Sequence, residues 1–221
     1  MPQKILENAN MNHYFQQAHF TQSATTAKTL PPEAGFEVAF AGRSNSGKSS
    51  SLNRICSQRS LARTSKTPGR TQLINFFALP QGEYLVDLPG YGYAKVPEKL
   101  KLEWQSFIND YLTKRKTLKG LVIVMDIRHP LTEHDGMLLE WANSRNLPVH
   151  ILLNKSDKLS RGAVMNELLA VQKKLETYAG KITVQAFSAQ TGLGVEIVWN
   201  QLEVWLGRKV KLLDDSATVH N

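Results

Sequence analysis

Apolar positions along the chain fall in short runs, and the spacing within successive runs alternates between two periods. Phe36–Ala41, FEVAFA, is a strand-length run that leads straight into Gly42 and a glycine-containing loop. Leu52, Ile55 and Cys56 follow at the spacing of a helix face. Residues 57–70 then lose all periodicity and gather Arg59, Arg63, Lys66 and Arg70 around a Pro-Gly, which predicts a long exposed loop. Two short strands are predicted near 72–79 and 83–87, joined by the turn Pro80-Gln-Gly82. Pro97 opens a helix whose apolar positions are Leu100, Trp104, Phe107, Ile108 and Tyr111. Strict alternation follows: strand 121–126, helix 132–145, strand 149–154, helix 161–178, strand 182–187 and helix 194–206.

The runs LVIVM and VHILL are continuously apolar, as parallel strands covered on both faces must be. The pattern predicts an α/β fold of three layers, a doubly wound, mostly parallel six-stranded sheet with helices on both faces. A chain of 221 residues suits one such domain. Residues 1–34 are polar and end in Pro31-Pro32, so they read as an N-terminal extension, mobile or laid against the surface; 35–207 form the domain and 208–221 a charged tail. The single cysteine, Cys56, excludes an intrachain disulfide and a cysteine-built metal site and suits a reducing compartment, which makes the cytoplasm the expected location. No stretch approaches the roughly 18 apolar residues of a membrane span. The C-terminal DDSATVHN carries no prenylation signal, so no membrane anchor is expected.

The loop after the first strand reads Gly42-Arg43-Ser44-Asn45-Ser46-Gly47-Lys48-Ser49-Ser50, a match to G-x-x-x-x-G-K-[ST] between strand and helix. Glycines let backbone N–H groups curl around phosphate oxygens, and the helix N-terminus adds the positive end of its dipole. Lys48 is expected to reach the β- and γ-phosphates and the Ser49 hydroxyl to ligate Mg²⁺. About forty residues on, Asp87-Leu-Pro-Gly90 ends a predicted strand, where Asp87 can hold Mg²⁺ through water and the Gly90 N–H can sense a γ-phosphate. Asn154-Lys155-Ser-Asp157 ends another strand. A carboxylate at Asp157 accepts from the ring N–H and exocyclic amine of guanine, where adenine offers an acceptor instead. The Lys155 stem is expected to cover the base plane and Asn154 to tie this loop to the phosphate loop. Ser188-Ala189, after the last strand, is placed to offer a backbone N–H to the guanine carbonyl.

Taken in order, these strings resemble the small GTPases of the translation-factor-like (TRAFAC) superclass and, in detail, the EngB family, also called YihA or YsxC, over residues 14–207. The passages that carry the resemblance are AFAGRSNSGKSSSLN, TPGRTQLINFF, LVDLPGYGYA and LLNKSDKL. It implies a GTP-binding protein with slow hydrolysis, acting in assembly of the large ribosomal subunit and needed for normal cell division and septation. It also implies that Thr71 is the first-switch threonine on Mg²⁺ and the γ-phosphate, with Gly69 beside it and Thr64 and Thr67 as competitors. Asn45 matches an asparagine that in some related GTPases helps hold K⁺. Tyr91 follows Gly90 where Ras-like enzymes place the water-orienting glutamine, so slow intrinsic hydrolysis is expected and no catalytic base is assigned.

The net charge of +8, from 27 Lys and Arg against 19 Asp and Glu, suits an anionic partner such as the ribosomal RNA of the large subunit or its precursor. A basic cluster at Lys114-Arg-Lys116 with Lys119 has a second explanation, since cations complement a helix C-terminus. The competing reading is a GTP-dependent protein-binding module in division or signalling, without RNA contact. A monomer is the expected state. The six histidines have no metal-ligand spacing.

Overall fold

Strand Glu37–Gly42 sets the plan of the molecule, because all six of its residues are buried and their side chains alternate between two separate cores. The computed structural model describes residues 12–62, 73–90 and 107–208. In chain order the elements are α1 His13–Gln16, β1 His19–Ala24, β2 Glu37–Gly42, α2 Lys48–Ile55, β3 Ile74–Ala78, β4 Tyr84–Asp87, α3 (107–114), β5 Leu118–Asp126, α4 Glu133–Ser144, β6 Val149–Asn154, α5 Arg161–Leu175, β7 Ile182–Ala186 and α6 Val195–Trp205. Val38 and Phe40 face a core closed by Leu52 and Ile55 of α2 and Val198, Trp199 and Leu202 of α6. Ala39 and Ala41 face the other core, closed by Tyr111 of α3, Leu139 of α4 and Val171 of α5. Each large aliphatic or aromatic side chain removed from water here contributes about 1.5–3 kcal/mol.

The sheet has seven strands in the order β1-β3-β4-β2-β5-β6-β7, one more than the six expected. Strands β4, β2, β5, β6 and β7 run parallel; β3 pairs antiparallel with β4, and β1 antiparallel with β3. The extra strand comes from the polar lead-in. HFTQSA shows no apolar alternation because β1 is an edge strand with Ala24 as its one buried residue, while Phe20 is exposed. What holds it is the backbone ladder to β3 and the Ser23 hydroxyl bond to Asn75. Ahead of it, α1 buries Phe15 in the first core, and Tyr14 donates to Glu83 in the turn between β3 and β4. The helix predicted from Pro97 is described only over 107–114; Leu100 and Trp104 lie outside the described residues.

At the amino end of β2, Glu37 is fully buried and its carboxylate is held bidentately by Arg115 and by the Tyr111 hydroxyl. This ion pair anchors α3 against the central strand. It also takes Arg115 out of the basic cluster predicted around it: the guanidinium is buried while Lys114 and Lys116 stay exposed. Among the described residues no helix is long and apolar enough to cross a membrane.

Candidate nucleotide-binding site

The carboxyl ends of β2, β4, β6 and β7 all open on one edge of the sheet, and each carries one of the strings singled out above. Such an edge, where chain connections leave in opposite directions, is where α/β sheets leave a crevice for ligands. From β2 the chain enters the loop 43–47 and then α2. Gly47 caps that helix at φ +94°, and a β-carbon there would lie 2.2 Å from Asn154 Nδ2, so the position requires glycine. Asn45 also adopts a positive φ of 67°, a left-handed conformation asparagine tolerates.

Two neighbours at the end of β6 grip this loop by its carbonyls. Asn154 Nδ2 donates to Ser46 O at 2.8 Å and Lys155 Nζ donates to Asn45 O at 2.7 Å. In a trans peptide the N–H points opposite to the C=O, so drawing the Ser46 carbonyl toward β6 turns the Gly47 N–H the other way. Lys48, the first residue of α2, forms a buried ion pair with Asp87 at the end of β4. Gly90 lies against the loop, since a β-carbon on it would sit 3.5 Å from both Gly42 O and Ser44 N.

The residues expected from the sequence to read a base form a second network. Ser188 Oγ donates to Asp157 Oδ1 at 2.6 Å and accepts from Thr191 N at 3.1 Å. The Ser188 hydroxyl is the largest influence holding the Asp157 carboxyl below its ordinary range, with Lys158 assisting at 3.2 Å. Asn154 Oδ1 accepts from Ala189 N at 3.0 Å, so this one amide side chain joins the phosphate loop to the loop after β7. The Ser188 N–H bonds Leu193 O.

A family model described as 50S ribosome-binding GTPase matches residues 37–155. A probable GTP-binding protein EngB of Enterobacter sp. (strain 638) is 52% identical over 194 residues, covering 88% of this chain and 93% of that protein. The chain belongs to the EngB family. A second EngB relative, from Vibrio parahaemolyticus serotype O3:K6 (strain RIMD 2210633), is 50% identical over 192 residues, covering 87% of this chain and 88% of that protein. The crystal structure of a probable GTP-binding protein EngB aligns with a TM-score of 0.62 at 20% identity, covering 77% of this chain and 98% of that one, which shows the shared fold. As an EngB protein the chain is a GTP-binding protein with a GTPase domain.

Within the EngB chain, Gly42 to Ser50, Asp87, Gly90, Asn154, Lys155, Asp157, Ser188 and Ala189 converge on one edge of the sheet. Gly69 and Thr71, the competing Thr64 and Thr67, Tyr91 and the cations Arg63, Lys66 and Arg70 lie outside the described residues. Two residues were missed. Asp126, at the end of β5 and paired in register with Asn154, receives Lys155 Nζ at 2.8 Å and Arg128 at 2.7 Å. Its carboxyl is held far below the usual range, first by the Arg128 hydrogen bond. The signal was available: a carboxylate ending a strand of a parallel sheet, beside a strand followed directly by a lysine. Arg54, on α2, carried no comparable signal, and its contacts are taken up below.

Ser49 sits in the first turn of α2 and Asp87 at the end of β4, both beside the loop. A hydroxyl and a carboxylate are the hard oxygen donors that Mg²⁺ takes together with nucleotide phosphates, so these residues fit the ion that GTPases use.

Proposed function

We propose that this EngB chain is a guanine-nucleotide switch that acts in assembly of the large ribosomal subunit and, through it, supports cell division. The observation that carries the base-reading half is the Asn154 bridge, which joins the phosphate loop to the loop beside Asp157, so both ends of a nucleotide meet one connected structure. In this reading Lys48 exchanges Asp87 for phosphate oxygens when the nucleotide enters, which frees the Asp87 carboxylate to help hold Mg²⁺. Ser49, Thr71 and Asp87 would hold Mg²⁺, which would supply neutralisation of charge on the transferring phosphoryl group. The backbone of 42–50 and Gly90 follows the phosphates, Thr71 with Gly69 beside it would meet the γ-phosphate as the family resemblance implies, and Asp157 selects guanine.

The Lys155 ammonium is tethered to Asp126 and the Asn45 carbonyl, which leaves its methylene stem to lie along the base. An N–H from Ser188-Ala189 meets the base carbonyl by sharing the donor that Ala189 now gives to Asn154. Tyr91 in place of a water-orienting glutamine makes intrinsic hydrolysis slow, on the order of 10⁻⁴ to 10⁻² per second. K⁺ beside Asn45 belongs to the same proposal, and turnover faster in potassium than in sodium buffer is its expected signature.

The ribosomal part rests on the +8 charge, on exposed cations such as Arg59 and Lys116, and on the description of the matched family model. The protein is proposed to work as a cytoplasmic monomer. Two measurements test the whole. Asp157→Ala is expected to abolish the preference for GTP over ATP and inosine triphosphate; a retained preference removes the base-reading assignment. Co-sedimentation with large ribosomal subunits is expected to depend on the bound nucleotide and to weaken steeply with salt. Binding indifferent to both favours a protein-binding module in division without RNA contact.

A further inference from the structure

Residues 188–192 form a single helical turn: Ser188 Oγ accepts from Thr191 N at 3.1 Å, and Ser188 O accepts from Gly192 N at 2.8 Å. One turn fixes several dihedral angles for very few internal hydrogen bonds, so such a segment needs support from outside. At the amide end the support is Asn154 Oδ1 on the Ala189 N–H. At the carbonyl end it is Arg54, whose Nε donates to Ala189 O at 2.8 Å and whose terminal NH₂ donates to Gln190 O at 2.6 Å. A planar guanidinium holds two acceptors in a fixed relation, which a lysine ammonium does not. Arg54 is exposed, so burial does not force these contacts; the side chain reaches across the surface to make them.

The position of Arg54 gives the contact its meaning. It stands six residues after Lys48 on α2, about 9 Å further along the same rigid helix. The helix that begins at the phosphate grip therefore ends by holding the turn that faces the base. We propose that Arg54 is a positioning residue for base recognition: by clamping the carbonyls of Ala189 and Gln190 it sets the Ala189 amide at the place where the 6-carbonyl of guanine arrives. This rests on the guanine-nucleotide reading above. It adds that the spacing between phosphate grip and base contact is fixed through α2 by one side chain.

Three diphosphates separate the contacts at the base. GDP carries the 6-carbonyl, the ring N–H and the 2-amino group, inosine diphosphate lacks only the 2-amino group, and 2-aminopurine riboside diphosphate keeps the 2-amino group but lacks the 6-carbonyl and the ring N–H. With Arg54→Ala, affinities for GDP and inosine diphosphate are expected to fall by about tenfold each, the size of one lost charge-assisted contact. Affinity for the 2-aminopurine nucleotide is expected to stay within about twofold of the unsubstituted protein. Arg54→Lys is expected to recover part of the loss, since it keeps one donor. An equal fall for all three nucleotides, or no fall for any, overturns the proposal, the first because Arg54 would then act on the fold or the phosphates. Asp157→Ala measured alongside tells the two levels apart. Loss of its preference for GDP over inosine diphosphate upholds the base reading whatever Arg54 does, whereas a preference that survives removes that reading and the proposal with it.

Discussion

At the scale of single residues, the site is governed by side chains that complete one another's hydrogen bonding. In the proposed reading Asp157 needs its charge to accept two guanine donors, and the Ser188 hydroxyl stabilises that charge by donating to it. A lowered carboxyl pKa means that the binding form persists as pH falls and is lost only when pH passes below the shifted value. Ser188→Ala removes the largest lowering influence, so the acid limb of GDP affinity is expected to move to higher pH, toward the ordinary aspartate value of 3.8. Titration of GDP binding from about pH 6 down to about pH 2.5, across the ordinary carboxylate range and below it, reads this directly. An acid limb at the same pH in both proteins would mean that Ser188 does not act through the carboxyl. Asp157 was legible in the sequence because N-K-x-D closes a strand. The Ser188 contact was not, because a two-residue Ser-Ala string carries no spacing from which a hydroxyl-to-carboxylate bond can be inferred.

At the scale of elements, the readable parts were those whose burial leaves a periodic mark. β2, β5 and β6 are buried on both faces and were recovered from their apolar runs, although β5 begins at Leu118, ahead of its predicted start. β1 was missed because an edge strand made of HFTQSA is stabilised by pairing rather than by burial. Arg115 was read as a surface cation because its neighbours are lysines; the partner that buries it, Glu37, is 78 residues away in sequence. Glu37 is 0% exposed, so Arg115→Met leaves a buried carboxylate with the Tyr111 hydroxyl as its remaining side-chain partner among the described residues. The expected loss is about 3–5 kcal/mol in urea unfolding. Adding Glu37→Gln to that variant is expected to recover part of it, because the uncompensated charge is what destabilises. A loss under about 1 kcal/mol for Arg115→Met would show that water reaches Glu37 and that α3 is anchored by other contacts.

At the scale of the whole molecule, binding at the sheet edge is coupled to folding through the connections that cross it. A nucleotide engaging Lys48, Asp87 and Asp157 touches the ends of β2, β4 and β6 together, and the Asn154 bridge carries the link to the loop after β7. None of these contacts exists in an unfolded chain, so the ligand stabilises the folded state by mass action. At a hundred times its dissociation constant the gain is about 2.7 kcal/mol. For a chain of this size that corresponds to a rise in Tm of about 5–10 °C. GDP with Mg²⁺ is expected to produce that rise and ATP at the same concentration to leave Tm unchanged. Asp157→Ala is expected to shrink the GDP effect while leaving the melting of the unliganded protein nearly in place, because this carboxylate bonds Ser188 and Lys158 locally rather than bracing either core. Were the unliganded variant to melt much lower instead, Asp157 would be acting as a structural brace, and the affinity lost with it would say little about how the base is chosen.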